Sequence, residues 1–258
     1  MFGGYVQTAS PELVEIIGDA GFDFVILSAE DTPYDLPQRQ RQFYAAELAG
    51  LATIYRPPSI DPVAIRRALD AGAAGLNIPS VESAEDAVLA VRATRFPPRG
   101  DRGLNAMSRA TRYGADFGPA YFDGAPDPVV TVLIESARAV DRIADIVAVD
   151  GVDVAYLGPT DLSISLGVPG DVFHPDVTEA AARVRAAARD AGVAAGTVVY
   201  RPGESDEIER RLDEGYAMLS LFLDVALFRQ NCRAMLDRAC AARAVLGRTT
   251  GTASGDRP

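Results

Sequence analysis

Short apolar runs closed by turn residues alternate along this chain with longer segments in which apolar positions recur at helical spacing. The run Val152-Asp153-Val154-Ala155-Tyr156-Leu157 passes straight into Gly158-Pro159-Thr160-Asp161, and Val129-Val130-Thr131-Val132-Leu133-Ile134 ends at Glu135. Apolar, β-branched runs bounded in this way are strands covered on both faces, as in a parallel sheet. Between such runs the same punctuation returns: an amphipathic helix, a glycine, then the next apolar strand, at Gly21, Gly50, Gly72, Gly151, Gly192 and Gly215. A glycine just past a helix supplies the left-handed cap that turns the chain back toward the sheet. The spacing predicts strands beginning near Tyr5, Phe22, Ala52, Gly75, Val129, Val152, Ala195 and Ala217. Helices are predicted to start near Pro11, Leu36, Asp61, Ser83, Ala139, Val177, Glu204 and Val225. Eight strand–helix units in a chain of 258 residues match an α/β fold of the (β/α)8 barrel type, whereas a doubly wound open sheet ordinarily uses fewer.

No composition shift or linker divides the pattern, so one domain over residues 1–246 is expected. The Gly/Thr/Ser-rich segment 247–258 is expected to be a disordered tail. Segment 96–128, rich in Gly, Pro, Arg and Asp, is longer than an ordinary connection and is expected to shape a pocket or a subunit interface.

Composition narrows the chemistry. The net charge of −11 argues against nucleic acid and anionic membrane surfaces as partners. All 25 basic residues are Arg, which excludes Schiff-base aldol chemistry, a pyridoxal-phosphate lysine and a P-loop lysine. With neither a bilayer-spanning run nor a signal peptide at Met1-Phe2-Gly3-Gly4-Tyr5, a soluble cytoplasmic protein is expected. Cys232 and Cys240 fall in one predicted helix, roughly 12 Å apart by helix rise, and are expected to be reduced thiols. His174, before a predicted helix, reads as a loop histidine, so no Ser/His or Cys/His machinery is expected.

In such barrels chemistry gathers where strands end. The predicted rim carries Gln7, Thr8, Ser28, Glu30, Asp31, Arg56, Pro79, Ser80, Glu135, Gly158 to Asp161, Tyr200 and Asp224. Glu135 and Asp161 are candidate ligands for a hard divalent cation completed by water and substrate oxygens, since the chain lacks the ligands of a structural zinc site. The residues alone leave a second reading open, in which the two carboxylates cap helices. Arg56 can hold a substrate carboxylate or steady an enolate oxygen, or else pair with a neighbouring rim acid.

At Ala20-Gly21-Phe22-Asp23-Phe24, Arg56-Pro57, Leu69-Asp70-Ala71-Gly72-Ala73, Phe96-Pro97-Pro98-Arg99-Gly100-Asp101-Arg102-Gly103, Ile134-Glu135 and Gly158-Pro159-Thr160-Asp161-Leu162-Ser163, the chain resembles a known family. It is that of the metal-dependent class II pyruvate aldolases, the 4-hydroxy-2-oxoheptanedioate aldolase/citrate lyase β-subunit (HpcH/HpaI) family. The resemblance runs from about Gly4 to about Ala241. It implies a TIM barrel that assembles as a hexamer, a trimer of dimers, with the C-terminal helix exchanged between subunits. It makes Glu135 and Asp161 ligands of Mg²⁺, with Mn²⁺ or Co²⁺ as alternatives, and Arg56 the group that contacts the oxo-acid. It also places Gly158, Pro159 and Thr160 at the substrate carboxylate.

The departures are local. The family ends its second strand with Asp-x-Glu-His, whose Asp and His handle the aldol proton; here the segment is Ser28-Ala29-Glu30-Asp31. The Gln that stands two residues before the glutamate ligand is Leu133, which then faces the substrate. An ordinary Asp titrates near 4, so Asp31 is a poor substitute for the His unless burial raises its pKa; a water or Asp31, oriented by Glu30 or Ser28, is expected to move the proton. Three functions are expected in descending order. The first is a lyase or aldolase acting through a pyruvate- or oxaloacetate-type enolate on an aldehyde acceptor. The second is a citrate-forming condensation of oxaloacetate with acetyl-CoA, as in some siderophore-pathway relatives. The third is a non-catalytic oxo-acid-binding relative.

Overall fold

The computed structural model describes residues 1–124, 127–201 and 205–251. Eight parallel strands close in sequence order into a barrel: β1 (Phe2–Val6), β2 (Phe24–Ser28), β3 (Ala52–Arg56), β4 (Gly75–Ile78), β5 (Val129–Ile134), β6 (Val154–Leu157), β7 (Ala194–Val198) and β8 (Met218–Leu223). The (β/α)8 expectation holds, with strand starts within three residues of those read from the sequence. The glycines expected as helix caps all take the left-handed conformation, from φ 72° at Gly50 and Gly192 to 105° at Gly72.

Alternation along each strand sorts two cores. Phe24, Ile26, Ile54, Leu133, Tyr156 and Met218 point into the barrel, while Val25, Leu27, Tyr55, Val132, Ala155 and Leu157 face the surrounding helices. Tyr156 is wholly buried inside, and its ring fits because β7 offers Gly196, where a Cβ would lie 2.6 Å from the Tyr156 ring. The Tyr156 hydroxyl donates to Ser220 Oγ at 2.6 Å, and Asn77 Nδ2 donates to the Tyr5 hydroxyl at 3.0 Å. The interior is therefore apolar with a buried tier of paired polar groups.

The helices are α1 (Pro11–Asp19), α2 (Leu36–Leu48), α3 (Pro62–Asp70), α4 (Ala84–Thr94), α5 (Pro119–Gly124), α6 (Ala137–Asp141), α7 (Ile143–Val147), α8 (Pro159–Ser165), α9 (Pro175–Ala191), α10 (Ser205–Asp213) and α11 (Asp224–Gly251). His174 is the N-cap of α9, its Nδ1 accepting from the Asp176 amide at 3.2 Å, as a loop histidine should. Cys232 and Cys240 are free, exposed thiols on α11. This helix runs to Gly251, so it takes in 247–251 of the segment expected to be a disordered tail; 252–258 lie outside the described residues. Among the described residues no helix is long and apolar enough to cross a membrane.

Segment 96–128 joins α4 to β5, so it emerges at the amino-terminal end of the barrel, opposite the rim. There Phe96 packs against Tyr121 and Phe122, and the Arg102 guanidinium lies 4.6 Å from the Phe96 ring centre. Of the two roles expected for this segment, shaping the pocket does not hold for the rim cavity, whose described lining includes none of residues 96–128: a helix-to-strand connection returns to the far end of the barrel from a strand-to-helix one.

Two charged side chains organise the rim backbone. Asp224, at the start of α11, accepts from the amides of Gln7 and Thr8 at 2.9 and 3.0 Å and from the Thr8 hydroxyl at 2.8 Å, tying the end of β1 to the end of β8. Arg39 of α2 is fully buried. Its guanidinium donates to the carbonyls of Val6, Thr8, Gln7 and Ser28, to Gln42 Oε1 and to Thr32 Oγ1. A carboxylate is not among these acceptors, and burial lowers the Arg39 pKa against the opposing pull of Asp224. Replacing Arg39 by Ala leaves several buried carbonyls unpaired and is expected to cost about 3 kcal/mol or more, a fall in Tm on the order of 10 °C. Thermal unfolding of Arg39→Ala beside the parent chain checks this, and a shift under about 2 °C contradicts the role assigned to the network.

Candidate active site

A cavity of about 480 Å³ opens at the carboxyl ends of the strands, within the usual range for small-molecule sites. Its lining brings together Asp31, Arg56, Leu133, Glu135, Gly158, Pro159, Thr160 and Asp161 from the sequence-predicted set. Ser28 and Glu30 do not line it and act from behind Arg56.

Arg56 closes β3 and is 93% buried, at 7% exposure. Its Nε lies 2.9 Å from Glu30 Oε2 and donates to Ser28 Oγ at 3.0 Å, while Nη2 pairs with Asp31. The Tyr5 ring supports the guanidinium from below, 5.4 Å from its centre. Of the two readings left open for Arg56, the salt bridge to rim acids is therefore present, and it fixes a guanidinium whose surroundings include the cavity.

Three expectations are corrected here. Ser28, wholly buried, does not orient the Asp31 carboxylate: its hydroxyl accepts from Arg56 and from the amides of Glu30 and Asp31 at 3.3 and 3.4 Å. Glu30 likewise serves Arg56. Burial was the condition for Asp31 to act as a replacement base, yet its side chain is 51% exposed. A short acidic side chain one turn past a strand end reaches solvent, and only its pairing with Arg56 holds it in place.

Glu135 ends β5. Its Oε1 accepts from the Ser80 amide at 2.9 Å, and Ser80 takes the left-handed conformation, φ 54°, to present that amide. Such a backbone is strained for a residue with a Cβ and is characteristic of functional sites. Burial, reinforced by the charges of Glu30 and Asp161, pushes the Glu135 carboxyl up to about 7 despite the Ser80 hydrogen bond and Arg56. Gly158 keeps the approach open: a Cβ there would sit 3.2 Å from Glu135 Cβ.

Asp161 lies in the first turn of α8. It lines the same cavity as Glu135 and its charge reaches that carboxyl, while Asp224, the other late-strand acid on the predicted rim, is engaged in closing β1 onto β8. The expected carboxylate cradle of backbone amides is reduced. The Gly158 amide donates to Ile134 O at 2.9 Å and Pro159 has none, so the amide of Thr160 is what remains of that trio. The Thr160 hydroxyl shares a 2.6 Å hydrogen bond with the Tyr200 hydroxyl. Leu133 is buried against Tyr5 and Tyr156 and gives the cavity an apolar contact in place of an amide.

Sequence reasoning missed Tyr5, Arg39 and Gln230. Tyr5 stands within an ordinary strand pattern, and Arg39 and Gln42 look like the polar face of an amphipathic helix. The available signal was Arg39 and Gln42 at i, i+3, one buried polar stripe on a helix that lacks a strong apolar one.

The two carboxylates fit a hard divalent cation: two oxygen donors on adjoining strand ends, with room for water and substrate oxygens. Among the described residues no third His, Cys, Asp or Glu completes a cluster of protein ligands alone.

Comparison with known proteins shows the family. The family model for HpcH/HpaI aldolase/citrate lyase matches residues 1–231. The chain is 34% identical over 236 residues to 5-keto-4-deoxy-D-glucarate aldolase of Klebsiella pneumoniae subsp. pneumoniae, covering 91% of this chain and 90% of that one. It is 35% identical over 239 residues to 2-dehydro-3,6-dideoxy-6-sulfogluconate aldolase of Pseudomonas putida, with coverage of 91% and 90%. The crystal structure of an HpcH/HpaI aldolase/citrate lyase family protein from Burkholderia cenocepacia J2315 superposes with a TM-score of 0.86 at 36% identity, over 93% of this chain and 94% of that one. With the barrel and the match over most of its length in agreement, this chain belongs to the HpcH/HpaI aldolase/citrate lyase family of carbon–carbon lyases.

Proposed function

We propose that this enzyme makes or cleaves a carbon–carbon bond through the enolate of a pyruvate- or oxaloacetate-type acid, using a divalent cation held by Glu135 and Asp161. One observation carries the reading. Four acidic side chains share the rim with one guanidinium: Glu30 and Asp31 pair with Arg56, and the charges of Glu30 and Asp161 reach Glu135. An anionic oxo-acid entering such a rim meets net repulsion unless a cation is present. Mg²⁺ suits the donor set best, with Mn²⁺ or Co²⁺ as alternatives; bound there, the ion would supply Lewis-acid polarisation of the oxo-acid carbonyl.

The chain's own groups divide the remaining work. Arg56, locked by Ser28, Glu30 and Tyr5, steadies the enolate oxygen without reorganising. The Thr160 amide faces the substrate carboxylate. A water on the exposed side of Arg56, held by the Asp31 carboxylate, takes the proton released from the methyl carbon. The carbanion adds to the acceptor carbonyl carbon, whose π electrons become an alkoxide, and the proton returns to that oxygen. Cleavage is the reverse.

We also propose a homo-oligomer, as a hexamer, with α11 as the contact. Val225, Phe228, Met235 and Leu236 are exposed on this helix, Phe228 at 73%.

The test is proton NMR of the pyruvate methyl group in D₂O with Mg²⁺ or Mn²⁺ and an EDTA control, oxaloacetate decarboxylation being followed in parallel. Metal-dependent exchange or decarboxylation is expected, falling at least a hundredfold in Glu135→Gln and in Asp161→Asn; full activity of either variant contradicts the ligand assignment. A separate arm with acetyl-CoA and oxaloacetate reports the thioester alternative as citrate. Asp31→His is expected to raise cleavage of a 4-hydroxy-2-oxo acid, and Asp31→Asn to lower exchange by about tenfold or more, the loss of one charged hydrogen-bond partner. An unchanged rate in Asp31→Asn would remove Asp31 from the proton path.

Glu135 also sets a pH dependence. Its folded pKa, about 7, lies above the model-peptide carboxylate value of 4.5, so the folded state binds the proton more tightly. Its effect on metal-free stability is absent below the lower value and becomes an increasing penalty as pH rises to the upper one. Denaturant midpoints in EDTA should fall between pH 5 and pH 8 for the parent chain, with a smaller fall for Glu135→Gln. Equal slopes would contradict the burial of this carboxyl.

A further inference from the structure

The cavity is divided by chemistry. One side carries Arg56, Asp31, Glu135 and Asp161; the other, from β7, β8 and the first turn of α11, is formed by Val198, Leu221, Phe222, Leu223, Ala226 and Leu227. The polar groups on that second side, Gln7, Tyr200 and Gln230, are uncharged, and the Tyr200 hydroxyl is already paired with Thr160. Among the described lining residues Arg56 is the one cation, and it is held by Glu30 and Asp31. At about 480 Å³ the space exceeds what a three-carbon oxo-acid fills.

Building on the enolate reading above, we propose that the acceptor is an aldehyde with an uncharged, apolar chain, seated on the β7–β8–α11 wall. A carboxylate or sulfonate on the acceptor would exchange water for aliphatic side chains with no counter-charge among the described lining residues of that wall, and would feel the excess of rim carboxylates. A polyhydroxylated chain would leave its hydroxyls facing the same wall with few partners. An aliphatic or aromatic chain loses water on a surface that offers nothing better than contact. The reaction is the addition already balanced above: the pyruvate methyl carbon bonds to the aldehyde carbon, and the alkoxide takes the proton. The product is a 4-hydroxy-2-oxo acid with an apolar tail.

The distinction matters because an apolar pocket discriminates one methylene by roughly tenfold or more. Initial rates of addition of pyruvate to acetaldehyde, propanal, butanal and pentanal, with succinic semialdehyde and glyceraldehyde as polar counterparts, read it directly. The enzyme is used with Mg²⁺ or Mn²⁺, and methyl deuterium exchange is recorded in the same samples. Expected is a rise in kcat/KM of at least tenfold from acetaldehyde to pentanal, with pentanal ahead of succinic semialdehyde. Leu227 is 47% exposed on α11 beside the proposed subunit contact, so size exclusion and methyl exchange of its variant are recorded to show that assembly and the enolate half persist. Leu227→Arg is expected to lower the pentanal to succinic semialdehyde ratio at least tenfold. A flat series, a preference for succinic semialdehyde, or an unmoved ratio in Leu227→Arg overturns the acceptor assignment while exchange persists. Loss of exchange together with all addition overturns the enolate reading, and the acceptor assignment with it.

Discussion

The guanidinium of Arg39 is the point on which the rim depends. The carboxyl ends of parallel strands present carbonyls that the barrel ladder no longer uses, and each needs a donor. Arg39 reaches up from α2 and meets the carbonyls leaving β1 and β2, at Val6, Gln7, Thr8 and Ser28, and Gln42 and Thr32 also accept from its two terminal nitrogens. A guanidinium can do this because its donors lie in one plane and it stays charged when buried. The backbone at Ser28 is thereby fixed, and Ser28 in turn holds Arg56. Structure passes outward from a buried cation to an active-site cation through one serine.

Arg56 inherits its geometry from four directions: Ser28 and Glu30 at Nε, Asp31 at Nη2, and the Tyr5 ring below. The segment Ser28-Ala29-Glu30-Asp31 thus spends its polar groups on orienting Arg56, where the related aldolases that the sequence resembles place a proton-handling pair. The altered residues do not empty the site of function; they shift it from proton shuttling toward fixing the guanidinium. Glu135 shows the converse economy. Its surroundings favour the neutral acid, yet Ser80 adopts a strained backbone to give it an amide. A carboxylate held this way is poised to be relieved by a cation.

The two sides of the cavity answer different needs. Charge is concentrated on β2, β3, β5 and α8, where an enolate oxygen and a carboxylate must be met. Contact without charge is concentrated on β7, β8 and α11, the wall proposed for the second reactant. Leu133 and Tyr156, lining the cavity between them, make its floor apolar, and the Tyr156 hydroxyl points away to Ser220.

Much of this was legible in the sequence for a physical reason. Strand hydrophobicity, helix-capping glycines and residues placed just after strand ends are local signals, and a closed parallel barrel converts strand-end positions into one rim. Glu135, Asp161 and Arg56 could thus be gathered from order along the chain. The tertiary structure decided what order cannot encode. It turned the 96–128 segment to the far end of the barrel, because the direction of a connection determines which end it caps. It buried Arg39, which reads as a surface helix residue until the strand carbonyls above it are known. It also withdrew the Gly158 amide from the substrate by giving it Ile134. Residue type and spacing fix what chemistry is available, and packing fixes which partner each group meets.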